Sequence, residues 1–142
     1  QWVQEAIEEG ATLLCGGEKL SATTYAPTIL ISPNKNSKVS TEEVFGPVLC
    51  LYEYVNIEEA ISKSNSLNVA FQSAIFTQDI DKAIKAANQL DSTAVMINDH
   101  TAFRVDWMPF GGRKLSGLGL GGIEQTIQEM TEEKMIVINY SK

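Results

Sequence analysis

The sequence has 142 residues, of which 44% are hydrophobic and 20% charged, and this balance argues against a disordered or low-complexity chain. Eighteen acidic residues against 11 basic ones give a formal net charge of −7, and the scattered bases disfavour binding to a nucleic-acid backbone. No apolar run approaches the ~20 residues that cross a bilayer, and the amino end lacks the pattern of a signal peptide. We therefore expect one globular, cytoplasmic domain with no nucleic-acid or membrane partner.

The first third of the sequence alternates helix and strand. Val3 and Ile7 lie on one face of a helix that begins at the amino end, without an initiator methionine, and that Gly10 ends. Apolar or β-branched runs then predict three strands, at 12–15, 25–31 and 47–54. A helical pattern that begins with the first residues suggests that the chain is part of a longer protein.

The middle of the sequence continues this alternation. Asn56 with Glu59 resembles a capping box, and Asp79 precedes apolar residues at helical spacing, so each marks a helix start. Continuous apolar runs at 73–77 and 93–97 are typical of strands that a parallel sheet buries on both faces. Strands and helices in alternation imply right-handed crossovers, so the predicted fold class is α/β, a sheet of mostly parallel strands with flanking helices.

A glycine-rich loop occupies residues 111–122. Gly117, Gly119 and Gly122 fit the spacing of a dinucleotide-binding loop that opens a helix. No predicted strand precedes them, and the acid expected ~20 residues later cannot be placed in a βαβ unit. A tightly packed structural loop is therefore favoured over a nucleotide site.

Two predicted elements close the sequence. Ile123 and Ile127 lie on one face of a helix, and Met135–Tyr140 is an apolar run of strand length. We find no internal repeat and no interdomain linker.

The cysteines and the single histidine indicate no metal site. Cys15 and Cys50 each lie in an apolar stretch, where a reduced, buried thiol is the usual outcome. No spacing of histidine and cysteine suits zinc. His100 follows a predicted strand, but no Gly-x-Ser-x-Gly segment accompanies it, so we interpret it as a hydrogen-bonded loop residue rather than a catalytic base.

Four segments in this order resemble the carboxyl-terminal part of the aldehyde dehydrogenase superfamily. They are Glu-Glu-Val-Phe-Gly-Pro-Val at 42–48, Ile-Phe-Thr-Gln-Asp at 75–79, Asn98, and Pro-Phe-Gly-Gly-Arg-Lys-Leu-Ser-Gly-Leu-Gly at 109–119. The resemblance covers essentially the whole chain. It departs from the usual family pattern at 69–71, where Val-Ala-Phe replaces Tyr-Gly-Leu, and at 120–121, where Leu-Gly replaces Arg-Glu.

The resemblance implies an architecture and an activity. Residues 1–134 would be part of the catalytic domain, and residues 135–142 a terminal strand that joins the sheet of a neighbouring subunit in a homo-oligomer. The family oxidises an aldehyde to an acid with NAD or NADP, using a cysteine thiolate and an assisting glutamate. That cysteine, that glutamate and the Rossmann domain are expected upstream of Gln1, so we expect no catalytic residue here and an inactive isolated chain.

The resemblance also implies roles for individual residues. Glu43 corresponds to the glutamate that binds the nicotinamide ribose hydroxyls, and Phe45 to the aromatic beside the nicotinamide. Phe110 corresponds to an aromatic that lines the aldehyde tunnel.

Residues 98–110 resemble most the branch that includes lactaldehyde and phosphonoacetaldehyde dehydrogenases. There, Arg104 would face the polar tail of a small anionic or hydroxylated aldehyde. The alternative is that Arg104 pairs with Asp106 or Asp99 and only orders its loop.

Three classes of function remain open at this point. The chain is part of an enzyme, a freestanding nucleotide-binding module that uses the 117–122 loop, or an association module that acts through its terminal strand. A non-catalytic relative of the family is a further alternative.

Overall fold

The computed structural model describes residues 1–140. The chain forms two compact units, which we call the amino-terminal unit, Gln1–Asn56, and the carboxyl-terminal unit, from Ile57 onward. Each unit has its own helices, sheets and buried residues.

The amino-terminal unit is built on a three-stranded mixed sheet in the order β1-β2-β3, with β1 Thr12–Cys15, β2 Thr28–Ile31 and β3 Val48–Leu51. Strand β1 runs antiparallel to β2, whereas β3 runs parallel to it. Gly16 follows β1 at φ +74°, where a side chain would collide with the Pro27 carbonyl, so glycine is required for this turn.

Helices α1 Trp2–Glu8 and α2 Lys38–Thr41 belong to this unit. Its core consists of five buried residues, Val3, Ala6, Ala11, Leu30 and Val39. The central strand β2 buries alternate residues, as a strand with one covered face should. Thr28 is also buried, and its hydroxyl is satisfied because it donates to the Ala26 carbonyl and accepts from the Gly17 N–H, both at 2.8 Å.

The centre of the carboxyl-terminal unit is the parallel pair β5 Gln72–Ile75 and β6 Ala94–Ile97, joined by α4 Ile80–Gln89. This strand-helix-strand unit confirms the crossover predicted from the sequence. Asp79 caps α4 by accepting from the Lys82 N–H at 3.1 Å. Ala83 and Ala86 are buried because small side chains let the helix approach the pair closely.

The remaining elements of this unit are α3 Ile57–Asn65, the short antiparallel pair β4 Val69–Ala70 and β7 Arg113–Lys114, and α5 Ile123–Glu129. Strand β7 was not predicted, since a charged Arg-Lys pair inside a glycine-rich loop has no strand pattern. In the described part of the chain the longest helix is α4, with 10 residues, and no helix is long and apolar enough to span a membrane.

Two predictions about the strands differ from the structure. Within residues 1–140 the strands form one mixed and two two-stranded sheets rather than a mostly parallel sheet. Apolar runs identify strands but do not choose their partners, and two of the four pairs are antiparallel. Residues 135–140 do not form the predicted strand, and they pair with no strand of the described chain.

The expectation for Cys15 was also wrong. Both cysteines are free, but Cys15 is exposed and only Cys50 is partly buried. All four residues of β1 are exposed, and β1 is an edge strand of the sheet.

Candidate functional site

Glu43 and Phe45 lie on the turn that connects α2 to β3. The Gly46 N–H donates to the Val44 carbonyl at 2.7 Å, which closes a three-residue turn with Phe45 at its tip. Val44 packs against the core of the amino-terminal unit, whereas Glu43 is exposed and Phe45 is 98% exposed. The partly buried valine therefore anchors a turn that presents a carboxylate and an aromatic ring outward, and no residue within 1–140 pairs with Glu43.

Arg104 and Phe110 meet in the carboxyl-terminal unit. The guanidinium carbon of Arg104 lies 4.6 Å from the centroid of the Phe110 ring, within the range of a cation–π contact. The Phe110 ring is also in edge contact with Phe71, at a centroid distance of 4.9 Å and an interplanar angle of 84°. Residues predicted to bind substrate are thus in direct contact, with an aromatic neighbour that the sequence analysis did not single out.

The alternative role for Arg104 is an ion pair within its own loop. In the described chain no carboxylate lies within ion-pairing distance of Arg104, and Asp99 lies instead beside His100. The contact with the Phe110 ring uses none of the guanidinium N–H donors, and no acceptor for them lies within the described chain. Arg104 can therefore still form a bidentate pair with an anionic group.

A closed hairpin holds Phe110 in place. The backbone of Phe110 exchanges two hydrogen bonds with Gly121, at 2.8 and 2.6 Å. The two ends of the glycine-rich loop between them therefore lie side by side. Inside the loop, Gly112 packs against the Ser116 backbone and Gly111 against Gly119 so closely that a side chain at either glycine would collide. The prediction of a tightly packed structural loop is in accord with this geometry.

Charged side chains fasten this loop to the rest of the unit. Arg113 and Lys114 both pair with Asp91, at 2.9 and 3.0 Å. Lys114 also donates to the carbonyls of Asn65 and Leu67, at 3.0 and 2.9 Å, so its ammonium has three acceptors. The hydrogen bond from Lys114 lowers the pKa of Asp91, with a further contribution from the charge of Arg113, and the carboxylate stays ionised at neutral pH.

Asn98 fixes the carboxyl end of β6. Its φ of +58° is one that asparagine tolerates better than most residues. The side-chain amide exchanges hydrogen bonds with the Thr77 backbone, at 2.8 and 2.9 Å, and thereby joins the ends of β5 and β6. His100 accepts from the Ala102 N–H at 3.1 Å, a contact that shapes the loop leading to Arg104.

Each cysteine thiol faces a backbone carbonyl. Burial raises the pKa of the Cys50 thiol, which lies 3.6 Å from the Val39 carbonyl. The Cys15 thiol faces the Pro27 carbonyl at 3.8 Å. Among residues 1–140 no group of three or more His, Cys, Asp or Glu side chains could hold a metal ion.

Phe71 and Asp91 contact residues of the candidate site, but neither was identified from the sequence. For Phe71 a signal existed, since it lies where the sequence departs from the common family pattern at 69–71. Asp91 gave no signal, because a single acid after a helix is ordinary and its partners Arg113 and Lys114 are distant in sequence.

Comparison with known proteins gives consistent matches. The profile of the Aldehyde dehydrogenase family matches residues 1–136. The chain is 45% identical over 139 residues to a 3-sulfolactaldehyde dehydrogenase of Priestia megaterium, and 42% identical over 137 residues to a lactaldehyde dehydrogenase of Methanococcus maripaludis. These alignments cover 98% and 96% of the chain but 29% of each relative, so the chain spans under a third of their length.

A solved structure matches equally well. It is the NADP-dependent glyceraldehyde-3-phosphate dehydrogenase of Bacillus halodurans in complex with NADP, at a TM-score of 0.88 and 38% identity. The match covers 99% of this chain and 30% of that one.

Proposed function

The chain belongs to the aldehyde dehydrogenase family, and we propose that the full-length protein oxidises a small anionic or hydroxylated aldehyde to its acid with NAD or NADP. In this proposal residues 1–134 complete the catalytic domain, and the nucleophilic cysteine and the Rossmann domain come from the rest of the protein. The observation that carries the proposal is the Arg104 guanidinium, which lies over the Phe110 ring and has no carboxylate partner in the described chain.

Glu43 and Phe45 have the chemistry that a nicotinamide nucleotide needs. A carboxylate can accept hydrogen bonds from two ribose hydroxyls at once, and Glu43 is exposed with no partner among residues 1–140. The exposed face of Phe45 offers an apolar wall for a flat ring. When bound, the cofactor would accept the hydride from the substrate, while Glu43 and Phe45 would hold its ribose and ring in position.

The substrate class rests on Arg104 and on what the relatives are named for. Sulfolactaldehyde carries a sulfonate, glyceraldehyde-3-phosphate a phosphate and lactaldehyde a hydroxyl, and a guanidinium fork can bind each of these groups. Phe110 would line the path of the aldehyde beside it. A lysine could supply the charge but not the planar, two-donor edge.

The first test is Arg104→Ala in the full-length enzyme, assayed on an anionic aldehyde and on a neutral one of similar size. We expect kcat/KM for the anion to fall roughly ten- to 150-fold, which corresponds to a loss of about 1.5 to 3 kcal/mol of transition-state stabilisation. The value for the neutral aldehyde should change little. Arg104→Lys is the matched control and should recover only part of the loss. Equal losses on both aldehydes would leave Arg104 a loop-ordering residue and remove the basis for an anionic substrate.

We also propose that residues 135–142 pair with the sheet of a neighbouring subunit in a homo-oligomer. Five apolar side chains in residues 135–140 are each at least 66% exposed, namely those of Met135, Ile136, Val137, Ile138 and Tyr140. An unpaired apolar segment of this length is suited to strand addition. This is also the second candidate function, because the same segment would serve a non-catalytic association module.

Replacing Val137 with proline removes one backbone donor from that pairing. We expect the full-length protein to shift to a smaller species in sedimentation or light scattering, whereas Val137→Thr should keep the original size. An unchanged oligomer with Val137→Pro would contradict pairing through this segment.

The two free cysteines suit a reducing compartment, and we propose the cytoplasm as the location.

A further inference from the structure

The ring of Phe71 contacts the ring of Phe110, over which Arg104 lies, and we propose that Phe71 is a positioning residue that sets the preference for anionic aldehydes. It would do so by fixing the plane of Phe110 and, through that ring, the direction of the Arg104 guanidinium. The inference rests on the proposed function, since it assigns a second residue to the same substrate site.

The backbone of Phe71 is held from both sides. Phe71 is the residue between β4 and β5, and its carbonyl accepts from the Thr93 N–H at 2.7 Å. On the β4 side, the Ala70 N–H donates to the Ser116 hydroxyl at 3.1 Å, and the strand pairs with β7. Because Asp91 anchors β7 through Arg113 and Lys114, the Phe71 ring projects from a backbone that has little freedom.

The two ring contacts restrict the orientation of the Arg104 guanidinium in turn. Phe71 meets Phe110 almost perpendicularly, at 84°, so a tilt of the Phe110 ring would force it into Phe71 or open a gap between the two. Arg104 lies over the Phe110 ring at 4.6 Å and would turn with it. An exposed arginine samples many rotamers, and holding it on a fixed ring reduces the entropy lost when it binds an anion.

The contact with Phe110 depends on the aromatic ring of Phe71. A leucine can fill volume, but it has no flat aromatic edge with which to hold a second ring perpendicular. Phe71 therefore acts on the Arg104–Phe110 pair through its ring contact with Phe110.

The test is Phe71→Leu in the full-length enzyme, with steady-state kinetics on the same anionic and neutral aldehydes. We expect KM for the anion to rise about three- to tenfold, with kcat nearly unchanged and the neutral aldehyde affected less than about twofold. Phe71→Tyr keeps the ring and should restore the parent KM. A role in packing alone would raise KM for both aldehydes together and would not depend on the ring.

Two comparisons make the outcome decisive. Phe76→Leu removes another ring of the same unit, one that is 70% exposed and is not part of the Phe71–Phe110 contact, and should leave the substrate preference unchanged. If Phe71→Leu does not fold, Phe71→Met gives the same comparison with a flexible side chain. An anion-selective effect of Arg104→Ala without one of Phe71→Leu or Phe71→Met overturns this inference alone, whereas no selectivity with Arg104→Ala overturns the proposed substrate class itself.

Discussion

The isolated 142-residue chain is expected to show no aldehyde oxidation and no measurable affinity for NAD or NADP. In the proposed function it contributes two cofactor contacts, Glu43 and Phe45, which both lie on one exposed turn. A hydrogen bond to a carboxylate is worth about 1.5 to 3 kcal/mol, and an aromatic contact about 0.5 to 1.5 kcal/mol. Association costs about 4 to 15 kcal/mol, so binding should be weaker than about 1 mM.

Activity should be absent for a separate reason. Burial keeps Cys50 a thiol at neutral pH by raising its pKa, and the hydrogen-bond partner of each cysteine thiol is a backbone carbonyl rather than a base. The measurements are calorimetric titration with the nucleotide up to about 1 mM and an assay for reduced nucleotide. Turnover by the isolated chain that disappears in Cys15→Ser, but not in Cys50→Ser, would show that the nucleophile lies within this chain and would overturn the proposal.

Local structure could be predicted well from this sequence because its signals are local. The Asp79 cap and the helical spacing after it predicted α4, and the runs at 73–77 and 93–97 predicted the strands that α4 joins. Helix periodicity and capping depend on residues within about one turn of each other. The parallel crossover then followed from the order of the elements.

Pairing between distant segments could not be predicted in the same way. Nothing in the Arg-Lys pair of β7 indicates that it pairs with Val69–Ala70, and nothing in Thr12–Cys15 indicates an uncovered edge strand. Residues 135–140 have the composition of a strand, but composition does not provide an edge to pair with. These outcomes depend on which surfaces meet, and a one-dimensional pattern does not contain that information.

For the candidate site too, residues in local motifs could be predicted from the sequence, and contacts between distant segments could not. Glu43, Phe45 and Phe110 were identified from motifs, and Arg104 from its loop, since each lies within a short characteristic segment. The sequence indicates only that Arg104 and Phe110 are close along the chain, and the cation–π contact between them needed the structure. The residues that hold the site, above all Phe71 and Asp91, lie in connecting segments that are distant in sequence from Arg104 or from Arg113, and their contacts needed the structure.

The largest loss of stability is expected from Gly112→Ala. A methyl group at Gly112 would lie 2.6 Å from the Ser116 Cβ and closer still to the Ser116 carbonyl, so backbone rather than a mobile side chain would have to shift. Forced overpacking costs about 1 to 3 kcal/mol, occasionally more, and the ends of this hairpin are tied by the Phe110–Gly121 hydrogen bonds. We therefore expect about 3 kcal/mol of destabilisation, concentrated in the 110–121 hairpin.

Hydrogen exchange on the full-length enzyme can locate that loss. The amides of Phe110 and Gly121 should exchange faster in Gly112→Ala, because each donates to the carbonyl of the other and both bonds require the closed hairpin. Displacement of Phe110 should also lower kcat/KM for anionic and neutral aldehydes alike, unlike the selective effect of Arg104→Ala. Gly46→Ala is the matched control for stability, since open space surrounds Gly46 and its φ is not in the left-handed region. Unchanged protection at Gly121 together with an unchanged melting temperature would mean that the hairpin tolerates a side chain at Gly112 and that its close packing does not hold Phe110.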